Sequence, residues 1–176
     1  MADECYKNGQ ESEAKGDLAA AAIHYRKSFS TRLRFMGHTD PQVMETAKKL
    51  ASIAHDQKDY ESAESYLNWC LKAKAKQHGA GSFEFAETQD ALGNLYMEQK
   101  LYEKAIDKYK QVVALKERYE GPTSKATFSA RKKLAKAYLK SGDREKFREI
   151  MDTAMVAYAP GKDPSEVTLP PPADDE

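Results

Sequence analysis

Cysteine is nearly missing from this chain: 176 residues hold two, Cys5 and Cys70, and they share no ligand or redox spacing. Two reduced thiols in an intracellular, cytoplasmic protein are the simplest expectation. Net charge is missing too, because 28 Lys and Arg offset 28 Asp and Glu. Binding driven by bulk electrostatics to nucleic acid is therefore disfavoured. No apolar run nears the roughly 20 residues that span a bilayer. The opening MADECYKNGQESEAKGD is polar and acidic, so neither a signal nor a transit peptide is expected, and no membrane partner.

Catalytic spacing is missing as well. His24, His38, His55 and His78 stand apart, with no HExxH and no Cys/His ligand pattern. There is no GxxxxGK[ST], no GxGxxG and no Gly-x-Ser-x-Gly elbow. The expectation is a protein that is not an enzyme and needs no cofactor or metal. What is there is 40% apolar and 32% charged residues at a mean hydropathy of −0.79. That balance suits an elongated helical array with much surface per unit of core.

A repeat organises the chain. Residues 91–113, ALGNLYMEQKLYEKAIDKYKQVV, read as two short amphipathic helices meeting at a polar turn. Leu92, Leu95 and Tyr96 form one apolar stripe; Ala105, Ile106, Tyr109, Val112 and Val113 form the other. Neither helix can bury its stripe alone, so copies must stack. The copies recur every 42 residues: Leu50, Leu92 and Leu134; Ala51, Gly93 and Ala135; Tyr25, Leu67, Tyr109 and Met151; Ala21, Ala63 and Ala105, with Phe147 breaking the run. Gly37, Gly79 and Gly121 keep the same step and suit the ends of helices, and Asp40-Pro41 suits the start of the next.

The expected organisation is repeat one at 1–36, repeat two at 37–78, repeat three at 79–120 and repeat four at 121–159. Repeat one has a polar first helix, with Asn8 and Ser12 in place of apolar residues, and reads as an amino-terminal cap. Residues 160–176 begin like a fifth repeat, but Leu169-Pro170-Pro171-Pro172 forbids a helix, and a disordered, Pro-rich acidic tail is expected. That tail could fold back on Lys132, Lys136 and Lys140.

Leu92, Gly93, Tyr96, Tyr102, Ala105 and Tyr109 resemble the tetratricopeptide (TPR) signature, and the resemblance covers about residues 3–159. The 42-residue step, with Gly and Asp-Pro before a first helix, resembles the kinesin-light-chain type of repeat. The resemblance implies an all-α, right-handed superhelix of four helix-turn-helix repeats, whose first helices line a concave groove. It implies a scaffold that binds a peptide or protein segment in that groove.

The register of the first helices then points Tyr6 and Gln10 inward, followed by Lys48, Ser52 and His55, by Asp90, Asn94 and Met97, and by Lys132, Lys136 and Lys140. The last three lysines form one basic stripe, which would favour an acidic part of the ligand, with Asn94 available to its backbone. The sequence departs from two relatives within the resemblance. Kinesin light chains carry an Asn pair where this chain has Lys48-Lys49, Asp90-Ala91 and Lys132-Lys133. The carboxylate clamp of TPR co-chaperones has Asn where this chain has Gln10 and Lys49. The alternatives are a self-associating assembly module using an apolar end formed by Phe147, Ile150, Met151 and Tyr158, alone or within a larger complex, and, lower, a co-chaperone or RNA-binding adaptor. Trp69 is expected to be partly buried, and Tyr96, Tyr102, Tyr109 and Tyr138 to pack in the core.

Overall fold

Helix punctuation recurs at the 42-residue step, and it is what sets the architecture. In the computed structural model, which describes residues 1–158, eight helices follow one another: α1 (Ala2–Ala14), α2 (Leu18–Met36), α3 (Pro41–Asp56), α4 (Tyr60–His78), α5 (Phe83–Glu98), α6 (Tyr102–Glu120), α7 (Lys125–Ser141) and α8 (Arg144–Tyr158). No strand occurs among the described residues. The sequence expectations for 160–176 lie outside them.

Each odd-numbered helix from α3 onward starts on a side-chain cap: Asp40 accepts from the Gln42 amide, Ser82 from Phe85 and Ser124 from Thr127. These caps satisfy amides that a helix start leaves orphaned. The even-numbered helices use Asp17, Asp59 and Asp143 in the same way. At the equivalent position α6 has Leu101, which caps nothing and is 39% exposed.

The residue just before the cap position of each even-numbered helix (Asp17, Asp59, Leu101 and Asp143) sits in the left-handed region: Gly16 (φ 78°), Lys58 (φ 58°), Lys100 (φ 59°) and Gly142 (φ 93°). Two repeats therefore place a lysine where a Cβ is disfavoured. The longer loops that follow α2, α4 and α6 begin at Gly37, Gly79 and Gly121, at φ 87–89° with ψ near extended. That corner of backbone space is essentially closed to any other residue.

The described helices group into two compact units, Met1–Lys100 and the part from Leu101 onward. The division falls inside the third sequence repeat, between α5 and α6.

In the first unit, Ala21, Ala22, Tyr25, Leu50 and Ile53 form one buried cluster, with Tyr6, Leu18, Phe29 and Tyr66 packed on it. Gly9 of α1 lies flat against the Tyr25 ring; a Cβ there would stand 2.8 Å from two ring carbons. Ala54, Ala63 and Leu95 form a second cluster with Tyr60 and Leu67. Trp69 is half-buried, edge-on to Phe29 at 5.1 Å and stacked on His38.

Buried cations join successive repeats in this unit. Arg32 of α2 donates to the Gln42 carbonyl, the Thr46 hydroxyl and Asp3. Lys74 of α4, one repeat step on, donates to the Glu84 carbonyl, which is itself one step from that of Gln42.

In the second unit, Ala105, Ile106, Tyr109 and Val112 of α6, Leu134, Ala135 and Ala137 of α7, and Met151, Ala154 and Met155 of α8 are buried. Here the joint is reversed. Arg131 of α7 reaches back to Glu117 of α6, at 2.7 and 3.1 Å, and to the Pro122 carbonyl. Tyr96 and Tyr109 are buried, whereas Tyr102 and Tyr138 are half-buried.

Candidate functional site

Small side chains at facing positions leave space between helices. In the first unit Ala51 of α3, Ala63 of α4 and Ala91 of α5 do this, and with Leu67, Leu95 and Cys70 they floor a cavity of about 460 Å³. Its polar lining is Lys48, Ser52 and His55 from α3, Lys74 from α4, and Glu87, Thr88, Asn94 and Glu98 from α5. A cleft of this size, with an apolar floor and a polar rim, can receive part of a ligand.

Of the residues assigned to a groove by register, Lys48, Ser52, His55 and Asn94 line this cavity. Asp90 and Met97 belong to α5 but not to its lining, and both are half-buried. Lys132, Lys136 and Lys140 belong to α7 in the second unit, where all three are exposed. Lys132 lies 5.8 Å from the Phe128 ring centre.

The two ends of the cavity lining differ in charge. His55 Nε2 meets Glu98 Oε2 at 2.7 Å, and its Nδ1 is 3.5 Å from Asp56. The hydrogen bond to Glu98, helped by Asp56 and opposed by partial burial, raises the imidazole pKa above its ordinary value. At the other end, burial pushes the Cys70 thiol up to about 11 against the pull of the Lys48 and Lys74 ammonium groups. Lys74 is 5% exposed, and its other acceptor, Glu87, stands 3.4 Å away. Lys48 is exposed and has no ion-pair partner among the described residues.

Hydrogen bonds between helices tie the first unit together outside the cavity lining. Tyr6 donates to Glu45 at 2.7 Å, Tyr25 to Glu13 at 2.7 Å and Tyr96 to Glu64 at 2.8 Å. Burial and the carboxylate acceptors push the Tyr6 and Tyr96 hydroxyls up to about 12. Lys49 also binds Glu13, at 3.0 Å. Burial would raise the Glu13 carboxyl, but the bonds from Tyr25 and Lys49 outweigh it and leave it lowered. Lys49 therefore ties α3 to α1, and is no substitute for the clamp Asn with which its position was compared. Among the described residues no helix is long and apolar enough to cross a membrane. No group of His, Cys, Asp or Glu there is arranged to hold a metal.

Two tetratricopeptide-repeat family models match the sequence, one over residues 84–150 and one over 49–77. The chain is a tetratricopeptide-repeat protein. Its fold is similar to that of BtubC (BKLC) from P. vanneervenii, with a TM-score of 0.75 at 20% identity over 99% of this chain and 68% of that one. It is similar also to the nearly identical TPR-like repeats assigned to a Podosopora anserina kinesin light chain, with a TM-score of 0.74 at 15% identity over 92% of this chain and 76% of that one. The repeats are of the kinesin-light-chain type in fold, and identities this low carry nothing further. No curated protein matches the chain.

Register places only first-helix residues in the lining, which leaves out Ala63, Leu67, Cys70 and Lys74 of α4; in α5, itself a first helix, it leaves out Glu87, Thr88 and Glu98. A signal for Lys74 was present. It stands one repeat step from Arg32 and one before Lys116, a cation kept near the end of the second helix in the first three repeats and replaced by Tyr158 in the fourth.

Proposed function

We propose that this TPR protein is a non-catalytic protein-interaction scaffold that receives a side chain of a bound peptide or protein segment in the α3–α4–α5 cavity. The observation that carries this reading is the cavity itself, with an alanine from each of three helices in its floor and Lys48, Ser52, His55 and Asn94 around it. A contact surface needs an apolar anchor point with polar groups beside it. The exposed Lys132, Lys136 and Lys140 of α7 offer a second, cationic surface for an acidic segment. Two free, buried thiols suit a cytoplasmic setting.

Selection of the full chain against a phage-displayed library of random dodecapeptides tests this. The wild type should enrich peptides that share an aliphatic residue, and Ala91→Leu, which fills the cavity, should enrich none of them. Reversal of Lys132, Lys136 and Lys140 to Glu should deplete the acidic members only. A library that yields nothing, or an Ala91→Leu variant that selects the same peptides, defeats the reading.

One observation favours a second reading, self-association. Of the apolar end expected from Phe147, Ile150, Met151 and Tyr158, Met151 is buried and Phe147 and Ile150 are half-buried, which leaves Tyr158, 45% exposed, and Val156, 53% exposed, as the surface for such a contact. Sedimentation at several concentrations decides it, since a strict monomer throughout would end the idea.

A further inference from the structure

The fourth repeat departs from the others at two positions that the fold brings into contact. Its second helix ends on Tyr158, where the earlier ones carry Arg32, Lys74 and Lys116. Its first helix has Phe128, where α3 and α5 carry Met44 and Ala86. The two rings stack, with centroids 4.6 Å apart and planes at 21°. Phe128 covers one face of Tyr158, and the tyrosine remains 45% exposed.

The charge beside this ring pair is of one sign. Helix α7 holds six cations and no carboxylate. Arg131 is engaged by Glu117, whereas Lys132, Lys136 and Lys140 follow Phe128 at four-residue steps and are exposed. Lys132 lies 5.8 Å from the centre of the Phe128 ring. Each step climbs about 6 Å along the helix, close to the spacing of successive phosphates on an extended single strand. The equivalent residues are Lys48, Ser52 and Asp56 in α3, and Asp90, Asn94 and Glu98 in α5. Balanced charge over the whole chain counts against nucleic acid, but residues 101–158 hold 14 Lys and Arg against 8 Asp and Glu.

We propose that this face of α7 and α8 binds a single strand of nucleic acid. A base lies on the open face of Tyr158, and the phosphates that follow run along Lys132, Lys136 and Lys140. An aromatic platform beside a cationic track holds a single strand without reading its sequence. The proposal goes beyond the peptide reading, whose anchor is the α3–α4–α5 cavity. An acidic segment answers the three lysines by charge but has no flat ring to set on Tyr158. A duplex presents phosphates but keeps its bases inside its own stack.

The test is fluorescence anisotropy on the full chain with three fluorescein-labelled probes. They are a thymidine dodecamer, an abasic strand of the same length and an octaglutamate peptide. The thymidine strand should bind about tenfold more tightly than the abasic one, as one stacked base provides. Its affinity should fall with salt at a log–log slope of roughly −2, as three phosphate contacts require. Tyr158→Ala should bring the two strands to within about twofold of each other, and Tyr158→Phe, which keeps a ring, should preserve the preference. Lys136→Gln should weaken both strands alike and make the slope shallower by about 0.7. Equal binding of the two strands to the wild type, or a preference that survives Tyr158→Ala, overturns the proposal. Octaglutamate binding as tightly as the thymidine strand also overturns it, and gives the surface to an acidic segment. No binding of the thymidine strand overturns it as well. None of these outcomes touches the cavity, which the Ala91→Leu selection reads separately.

Discussion

The two units treat charge differently. Residues 1–100 hold 13 Lys and Arg against 15 Asp and Glu, net −2, while 101–158 hold 14 against 8, net +6. In the first unit much of the charge ties helices together, through Tyr6–Glu45, Tyr25–Glu13–Lys49, His55–Glu98 and Tyr96–Glu64. In the second, Arg131–Glu117 joins α6 to α7, and the stripe of Lys132, Lys136 and Lys140 faces solvent. A chain neutral as a whole thus carries a hydrogen-bonded cavity in one unit and a cationic surface in the other. Net charge over the full length concealed both.

The difference can be probed at one repeat position occupied by Gly9, Ala51, Gly93 and Ala135. In the first unit, Gly9→Ala drives a methyl into the Tyr25 ring, which is fully buried and cannot give way. A loss of about 1–3 kcal/mol by urea denaturation is expected. In the second unit, Ala135→Gly adds no clash and should cost only about 1 kcal/mol through helix propensity. Equal losses would mean that the close approach at Gly9 is not a tight constraint.

Capping gives an effect of opposite sign. Leu101 occupies the position that Asp17, Asp59 and Asp143 use as caps. Leu101→Asp should stabilise the protein by about 1 kcal/mol, and Asp59→Ala should destabilise it by a similar amount. Both are read from denaturation midpoints. Slightly smaller gains, about 0.5–1 kcal/mol, are expected from Lys58→Gly or Lys100→Gly, because each relieves a Cβ at positive φ. A loss on either substitution would show that backbone entropy outweighs the strain.

The smallest effect is pH-dependent and confined to the first unit. The His55 pKa is raised in the folded protein by Glu98 and Asp56. Its contribution to stability is therefore complete below the unfolded pKa of about 6.5 and is lost as pH rises through the folded value. The side chain is 39% exposed, so the change should be small. Proton NMR should place its titration above about 6.5, and Glu98→Gln should lower the midpoint. A midpoint unmoved by that substitution would remove Glu98 as the cause.

Much of the fold was legible because repetition is a sequence property. The 42-residue step located Gly37, Gly79 and Gly121, the turns and all four helix pairs. The third repeat was the one most faithful to the pattern. Its weak points, the uncapped Leu101 and the strained Lys100, show only when the same loop positions are compared across repeats. Half of the candidate site was harder to see. Lys48, Ser52, His55 and Asn94 follow from the register of two first helices, whereas Ala63, Leu67, Cys70 and the buried Lys74 come from the helix between them. Lys49, which stands where the co-chaperone clamp has Asn, is a partner of Glu13.

Helix positions and caps, and the spacing between like residues, were determined by the sequence alone, because each depends on neighbours within a few residues along the chain. Tertiary structure decided where the alanines of α3, α4 and α5 leave a void, and which carboxylate each buried cation obtains. Asp3 and Glu45 occupy the same place in the repeat, yet one meets Arg32 and the other Tyr6. The choice depends on distances between helices, and no one-dimensional pattern records those.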